Sequence, residues 1–275
     1  MATKRIGLAL SGGGARGFAH IGVLKVLAEN GIRIDMIAGT SAGAIVGGAF
    51  AAGMSPAELT AMASRVRWTN MTRPSLSPLG ALSNAPMGRF IEREFPVSRF
   101  EELKVPLAVV VCDFETGNEV VLKDSGDLVF AIRASSAVPG VFAPLRDAAG
   151  RILVDGGVVS PMPVDAVRAM GADIVIAVDL NACGASFRSR PRTAVGMMFQ
   201  SAMSLIRAAS RNQHYHADVV IEPQIAHLRP DEIGKRDELI RLGEEAAAAA
   251  IDRIMELVGE KPTGGGPGPS HPGAA

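Results

Sequence analysis

Short apolar runs alternate with helical spacings over most of the chain, and this alternation predicts a mostly parallel sheet with helices on both faces. Predicted strands cover residues 5–10, 34–38, 106–112, 119–122, 141–145, 151–154, 174–178 and 219–221. Predicted helices cover residues 18–30, 42–52, 56–65, 87–95, 128–134, 164–170, 194–215 and 237–258. The pattern therefore predicts a three-layer α/β/α domain over residues 1–260. Residues 261–275 are rich in Gly and Pro and have no periodicity, so we expect a disordered tail.

Composition and charge exclude several classes of protein. The chain carries 28 basic and 28 acidic residues, so its net charge gives no reason to expect a nucleic acid partner. No apolar run reaches the ~18 residues of a membrane-spanning helix. Cys112 and Cys183 occur in strand-like contexts, and we expect buried thiols in a reducing compartment. These features predict a cytoplasmic protein, at most peripheral at the inner membrane surface, without a metal or a cofactor.

The clearest chemical motif is Gly39-Thr40-Ser41-Ala42-Gly43, which joins a predicted strand to a predicted helix. In a nucleophile elbow of this kind, Ser41 lies at the apex of a sharp turn and exposes its hydroxyl. Gly39 and Gly43 let the strand and the helix approach closely, where any Cβ would collide. The motif alone is weak, because a glycine-rich turn with an N-capping serine has the same sequence.

A second glycine motif, with Gly12, Gly14 and Gly17, follows the first predicted strand and begins a helix. One interpretation is a dinucleotide-binding fingerprint, whose acidic residue lies at the carboxyl end of the second strand. Asp35 instead comes early in that strand, and the elbow occupies its carboxyl end. The nucleotide interpretation also leaves the elbow without a purpose.

The other interpretation is an oxyanion hole. Backbone N–H groups of Gly12, Gly13 and Gly14 at a helix N-terminus can stabilise the negative oxygen of a tetrahedral intermediate. Because the carboxyl ends of neighbouring parallel strands meet at one edge of a sheet, these glycines can lie beside Ser41. Arg16 either anchors this loop or faces a phosphate.

The serine needs a base, and Asp155 is the better candidate for it. Asp155 follows a predicted strand, and the two glycines after it, Gly156 and Gly157, give close access. A hairpin turn between residues 152–154 and 158–159 is the competing interpretation. No histidine has a supporting carboxylate that the sequence identifies; the histidines are His20, His214, His216, His227 and His271.

These motifs resemble those of the patatin-like phospholipases. The chain has four motifs in that family's order: the glycine loop of residues 12–17, the elbow of residues 39–43, Ala134-Ser135-Ser136-Ala137-Val138-Pro139, and Asp155-Gly156-Gly157. The resemblance extends from about residue 5 to residue 180 and more weakly to about residue 248. The chain is most similar to the small, single-domain bacterial members.

The resemblance implies a patatin-like fold and a serine hydrolase that acts on lipid acyl esters. It implies that Ser41 is the nucleophile and that Asp155 is its partner in a Ser–Asp dyad. It places the oxyanion hole at Gly12, Gly13 and Gly14, with Arg16 and Gly17 in the same loop. Acyl transfer to another acceptor, and a non-catalytic scaffold that binds acyl groups, are the alternative functions.

Residues 68–86 interrupt the regular pattern with three prolines and scattered polar residues, so the sequence predicts a long loop. Two interpretations stay open: a lid or contact with lipid, and a loop packed on the core. A second loop carries Arg188, Arg190 and Arg192, which either attract anionic head groups or are simply solvated. The apolar residues of the first loop are Trp68, Met71, Leu76, Leu79 and Leu82.

Overall fold

The computed structural model describes residues 4–183, 191 and 193–259. The strands within these residues are β1 (Ile6–Leu10), β2 (Met36–Thr40), β3 (Arg73–Pro74), β4 (Gly80–Ser83), β5 (Leu107–Asp113), β6 (Glu119–Lys123), β7 (Gly140–Phe142), β8 (Leu145–Arg146), β9 (Ile152–Asp155), β10 (Ile174–Val178) and β11 (Val219–Ile221). The α-helices are α1 (Phe18–Glu29), α2 (Ala42–Ala51), α3 (Pro56–Arg65), α4 (Trp68–Met71), α5 (Ala85–Glu94), α6 (Leu128–Ser135), α7 (Val164–Ala169), α8 (Ala194–Gln213) and α9 (Arg236–Val258). The predicted tail and Arg188, Arg190 and Arg192 lie outside the described residues.

The central sheet has the strand order β11-β10-β1-β2-β5-β9-β8, and β6 also pairs with β5. The pairs from β11 through β10, β1 and β2 to β5 are all parallel, whereas β6, β8 and β9 run antiparallel to their neighbours. The mostly parallel sheet predicted from the sequence is therefore confirmed. Strands β1, β2, β5 and β10 are buried along their whole length, as expected for parallel strands covered on both faces.

Helices cover both faces of this sheet. Leu8 and Leu10 of β1 belong to the large apolar cluster that also contains residues of α1, α2, α6 and α9. Ala9, which points to the opposite face, belongs to a smaller cluster with Val164 and Val167 of α7. The alternation of side chains along one strand thus divides the core into two layers. No helix within the described ranges is long and apolar enough to span a bilayer.

The prediction of an irregular loop over residues 68–86 was wrong. This segment contains α4, β3 and β4, and β4 pairs in parallel with β7 to form a second, three-stranded sheet. The partner strand is more than fifty residues away along the chain (Leu82 pairs with Phe142), so no local pattern could indicate it. The predicted strand over 141–145 is in fact two strands. Its first part belongs to β7 of this small sheet, whereas Leu145 belongs to β8 and pairs with Leu153 of β9.

Helices α1 and α9 pack with their backbones in contact. A Cβ at Gly22 of α1 would lie 2.0 Å from the carbonyl oxygen of Ile240, and a Cβ at Gly243 of α9 would lie 2.0 Å from that of Ala19. Each helix therefore supplies a glycine at the point where the other approaches. This contact fixes the last helix of the described chain against the first.

We expect Gly243→Ala to destabilise the protein by about 1–3 kcal/mol, because the new methyl group meets a backbone oxygen that cannot move aside. The higher helix propensity of Ala offsets only about 1 kcal/mol of the loss. The free energy of unfolding in urea measures the effect. Gly234→Ala is the control, since no atom lies within 4 Å of its added Cβ. Equal stabilities for the two variants would contradict the packing argument.

Candidate active site

Ser41 lies at a sharp turn between β2 and α2. Its backbone has φ 53° and ψ −117°, a conformation that is costly for a residue with a Cβ. The surrounding structure must hold this conformation. The turn has the geometry that the sequence predicted for a nucleophile elbow.

Ser135 of α6 holds the elbow through a hydrogen bond. The buried Ser135 hydroxyl accepts a hydrogen bond from the Ser41 N–H at 2.8 Å and donates one to the Val110 carbonyl oxygen at 2.6 Å. One hydroxyl thus links the elbow to both α6 and β5. Ser135 belongs to one of the four sequence motifs, but the motif alone does not indicate this role.

Glycines let the elbow pack directly on the sheet. A Cβ at Gly43 would lie 2.1 Å from the Leu10 carbonyl oxygen, so α2 starts in backbone contact with the end of β1. A Cβ at Gly39 would lie 2.7 Å from the backbone nitrogen of Ala44, and one at Gly17 would lie 2.6 Å from the Ala42 Cβ. Side chains at these positions would separate the elbow from β1 and from the glycine loop.

Asp155 reaches the elbow because β9 and β2 share one edge of β5. Residues of β6 pair with the other edge of β5 throughout this region. On the shared edge, Thr40 of β2 pairs with Val110 and Asp155 of β9 pairs with Val111. The two strands therefore run toward each other and end head to head. The hairpin-turn interpretation of Asp155 is wrong, because Gly156–Val158 form a 3-10 turn that pairs with no strand.

The Asp155 carboxylate is buried and polar groups hold its orientation. The carboxylate accepts a hydrogen bond from the Gly157 N–H at 2.7 Å. The backbone N–H of Asp155 donates to the Ala137 carbonyl oxygen at 3.0 Å. Burial raises the pKa of Asp155 to about 6, while hydrogen bonds from the Ser41 side chain and the Gly157 amide lower it. A Cβ at Gly156 would lie 2.3 Å from the Val110 carbonyl oxygen. The carboxylate is therefore more basic than an exposed aspartate and is in contact with Ser41.

The glycine loop lies beside Ser41. A Cβ added at Gly12 would lie 3.4 Å from the Ser41 Cβ. The Gly12 N–H donates to the Pro161 carbonyl oxygen at 3.0 Å. Gly12 is therefore not free to act as an oxyanion donor, which corrects part of the sequence prediction. Within the described residues, the N–H groups of Gly13 and Gly14 have no such backbone partner.

Asn181, after β10, fixes the position of the glycine loop. Its side-chain amide donates to the Gly12 carbonyl oxygen at 3.1 Å, and its side-chain oxygen accepts from the Arg16 guanidinium at 3.5 Å. The buried Asp179 carboxylate accepts from the Asn181 N–H at 2.7 Å. Burial lowers the pKa of Arg16, and the charges of Cys183 and Asp179 raise it. This geometry supports the interpretation that Arg16 anchors the loop. No sequence motif indicates the part that Asn181 plays.

The described histidines have partners away from Ser41. His20 is buried and its Nε2 contacts the Ser11 carbonyl oxygen at 2.8 Å. Burial lowers the pKa of His20 to about 4, although this hydrogen bond and the charge of Asp179 raise it. His214 pairs with Asp179 at 2.7 Å. The remaining pairs are His216 with Asp165 and His227 with Glu238, and His271 lies outside the described residues.

A cavity of about 670 Å³ opens over Ser41 and Asp155. The glycine loop forms part of its wall, and most of the other lining side chains are apolar. Among these side chains are Trp68, Met71, Phe90, Phe142, Met203 and Ile206. Residues 68–86 pack partly on the core, since Met71 is buried, whereas Trp68 lines the cavity and remains 47% exposed. A lid or a contact with lipid stays a prediction.

Residues 8–168 match the family model of the patatin-like phospholipases. An uncharacterized NTE family protein of Mycobacterium bovis is 40% identical over 182 residues, which cover 65% of this chain and 50% of that protein. The human patatin-like phospholipase domain-containing protein 6 is 37% identical over 184 residues, which cover 64% of this chain and 13% of that protein. The chain thus spans about half the length of the mycobacterial relative.

The solved structure of VipD from Legionella pneumophila has the same fold. It matches this chain with a TM-score of 0.63 and 15% sequence identity over 92% of this chain and 67% of its own. At that identity the likeness concerns the fold alone. The α/β/α architecture predicted from the sequence is the patatin-like one.

We expect Ser135→Ala to destabilise the protein by about 1–3 kcal/mol, because it leaves the buried Ser41 N–H without an acceptor. Loss of the link should also lower the activity of the elbow serine. Urea unfolding and ester hydrolysis measure the two effects. Ser210→Ala is the matched control, since Ser210 is also buried but its hydroxyl has no partner among the described residues. A control that loses as much stability as Ser135→Ala would rule out this role.

Proposed function

The chain belongs to the patatin-like phospholipase family, and we propose on that basis that it is a serine hydrolase of lipid acyl esters with a Ser41–Asp155 dyad. The observation that carries the proposal is the buried Asp155 carboxylate, which lines the same cavity as Ser41 and whose pKa burial raises to about 6. A base with a pKa near the working pH is suited to accept a proton and return it.

In the proposed first step, the Ser41 hydroxyl attacks the ester carbonyl carbon and its proton passes to Asp155. The former carbonyl oxygen becomes negative, and the N–H groups of Gly13 and Gly14 stabilise it. The intermediate then collapses, and the departing alcohol takes the proton from Asp155. The product of this half-reaction is an acyl ester on Ser41.

The second half-reaction repeats the chemistry with water. Asp155 accepts a proton as the water oxygen attacks the acyl carbon, and the same N–H groups stabilise the negative oxygen. Collapse releases the fatty acid, and the proton returns from Asp155 to the Ser41 oxygen. An alcohol in place of water would give acyl transfer instead, so the acceptor decides between the two reactions.

The apolar wall of the cavity supports a lipid substrate. A hydrocarbon chain placed there leaves water, at a gain of about 0.8 kcal/mol for each buried CH₂ group. We therefore propose that the acyl chain occupies the cavity with its carbonyl group beside Ser41. On p-nitrophenyl esters of increasing chain length, kcat/KM should rise until the cavity is filled.

The dyad makes a direct prediction. Ser41→Ala should abolish hydrolysis and labelling by a fluorophosphonate probe, because it removes the hydroxyl that would form the acyl-enzyme. Asp155→Asn should lower kcat by about 10²–10⁴-fold, because an amide cannot accept the serine proton. Asp113→Asn is the control, since Asp113 is a buried carboxylate on the neighbouring strand β5 that does not line the cavity. Labelling of Ser41 would exclude a non-catalytic scaffold, and more than a few per cent of wild-type turnover in Asp155→Asn would exclude this base.

The pH dependence tests the base separately. Asp155 must be ionised to accept a proton, so kcat/KM should fall by about tenfold per pH unit below its pKa, which is about 6. This fall of kcat/KM at low pH, the acidic limb of the pH profile, should persist in His214→Asn and in His216→Asn. His20, whose pKa burial lowers to about 4, is neutral over this range. Disappearance of the limb in either variant would identify a histidine as the base.

A further inference from the structure

Helix α8 forms one wall of the cavity. Four residues with the spacing of a single helical face, Gly196, Phe199, Met203 and Ile206, line it. Arg207 and Arg211 of the same helix donate to the Ala182 carbonyl oxygen at 3.0 and 3.2 Å. The second half of the helix is thus held to the loop that follows β10.

A second apolar stripe runs along the same helix and faces solvent. Val195, Met198 and Leu205 are 76%, 72% and 72% exposed and lie on one side of α8. Each precedes a cavity-lining residue by one position, which places the two stripes side by side. Phe199 belongs to the cavity wall and is still 43% exposed. The outer stripe is therefore continuous with the apolar wall of the cavity.

The charge of this part of the chain has one sign. Residues 181–213 contain five arginines and no Asp or Glu, a formal charge of +5 in a chain whose net charge is zero. The arginines are Arg188, Arg190, Arg192, Arg207 and Arg211. An apolar stripe in a segment with basic but no acidic residues matches the chemistry of an anionic lipid surface.

We propose that the outer stripe of α8, formed by Val195, Met198 and Leu205, docks on an anionic bilayer and brings the cavity to the lipid surface. The proposal rests on the proposed function, because a lipid hydrolase must draw its substrate from an aggregate. A second copy of the chain is the less suitable occupant. In a two-fold symmetric dimer the same patch meets itself, and residues 181–213 offer a second copy no acidic residue to pair with their arginines.

Docking also gives the substrate a route to the cavity. With the outer stripe in the acyl region of the bilayer, the neighbouring face of α8 lies along the path of a lipid chain that leaves the membrane. The chain would move from bilayer to cavity along apolar surface without crossing water. Electrostatic attraction adds to this contact and weakens as salt screens it.

The test measures binding to vesicles in the Ser41→Ala background, so that no lipid is consumed. Vesicles of phosphatidylcholine with phosphatidylglycerol as the minor component should bind the protein more strongly than pure phosphatidylcholine, and added NaCl should weaken the binding. Met198→Ser with Leu205→Ser should lower the partition coefficient by roughly tenfold or more. Val195→Ser alone should have a smaller effect in the same direction.

Tyr215→Ser is the matched control, since Tyr215 is also highly exposed but lies beyond the end of α8 and does not line the cavity. Equal binding by the double variant and the Tyr215 control would overturn the proposal. So would a wild-type dimer in analytical ultracentrifugation that the double variant dissociates, because the stripe would then face a second copy.

The same variants made with Ser41 intact separate this proposal from the proposed function. The double variant should hydrolyse a soluble short-chain ester at the wild-type rate and lose activity only on vesicles. Wild-type protein that binds vesicles but hydrolyses no ester would refute the proposed function and leave the docking surface standing. Wild-type protein that hydrolyses soluble esters but does not bind anionic vesicles would refute the docking surface alone.

Discussion

The geometry of the candidate site depends on two strands that end head to head on one edge of β5. Strand β5 extends three residues beyond the point where Thr40 of β2 pairs with Val110, and β9 pairs with this extension in the opposite direction. Asp155 therefore comes to the level of the elbow from the direction opposite to β2. This arrangement explains both the contact with Ser41 and the burial of the carboxylate, because β9 ends inside the molecule and not at its rim.

Backbone contact at glycines determines how tightly the remaining parts surround this point. Gly43 lets α2 begin against the Leu10 carbonyl oxygen. Gly156 lets the turn after β9 lie against the Val110 carbonyl oxygen. A methyl group at either position would overlap a main-chain oxygen, which cannot rotate away as a side chain can. Small residues are therefore required at both positions, because neighbouring backbone fills the space beside them. The same close packing holds Ser41 at φ 53°, since it leaves the turn no room to relax.

The parts of the structure that local sequence determines could be predicted, and those that depend on distant partners could not. Apolar runs indicated the strands of the central sheet, and Gly39, Gly43 and Asp155 indicated where the site lies. The small sheet of β3, β4 and β7 was missed because β4 pairs with a strand far along the chain. Ser135 and Asn181 carried no role in the sequence analysis, since a hydrogen bond to a distant backbone atom leaves no periodic pattern.

The supports of the glycine loop also have a consequence for the order in which the chain is made. The Gly12 N–H binds the Pro161 carbonyl oxygen, the Gly12 carbonyl binds Asn181, and the Ala15 N–H binds the Pro230 carbonyl oxygen at 2.7 Å. The loop leaves the ribosome before all three of these partners. The nascent polypeptide consequently lacks the full support of this loop until residue 230 has been translated and has folded back. Assembly of the candidate site is therefore a late event in folding, because it waits for the segment that contains Pro230.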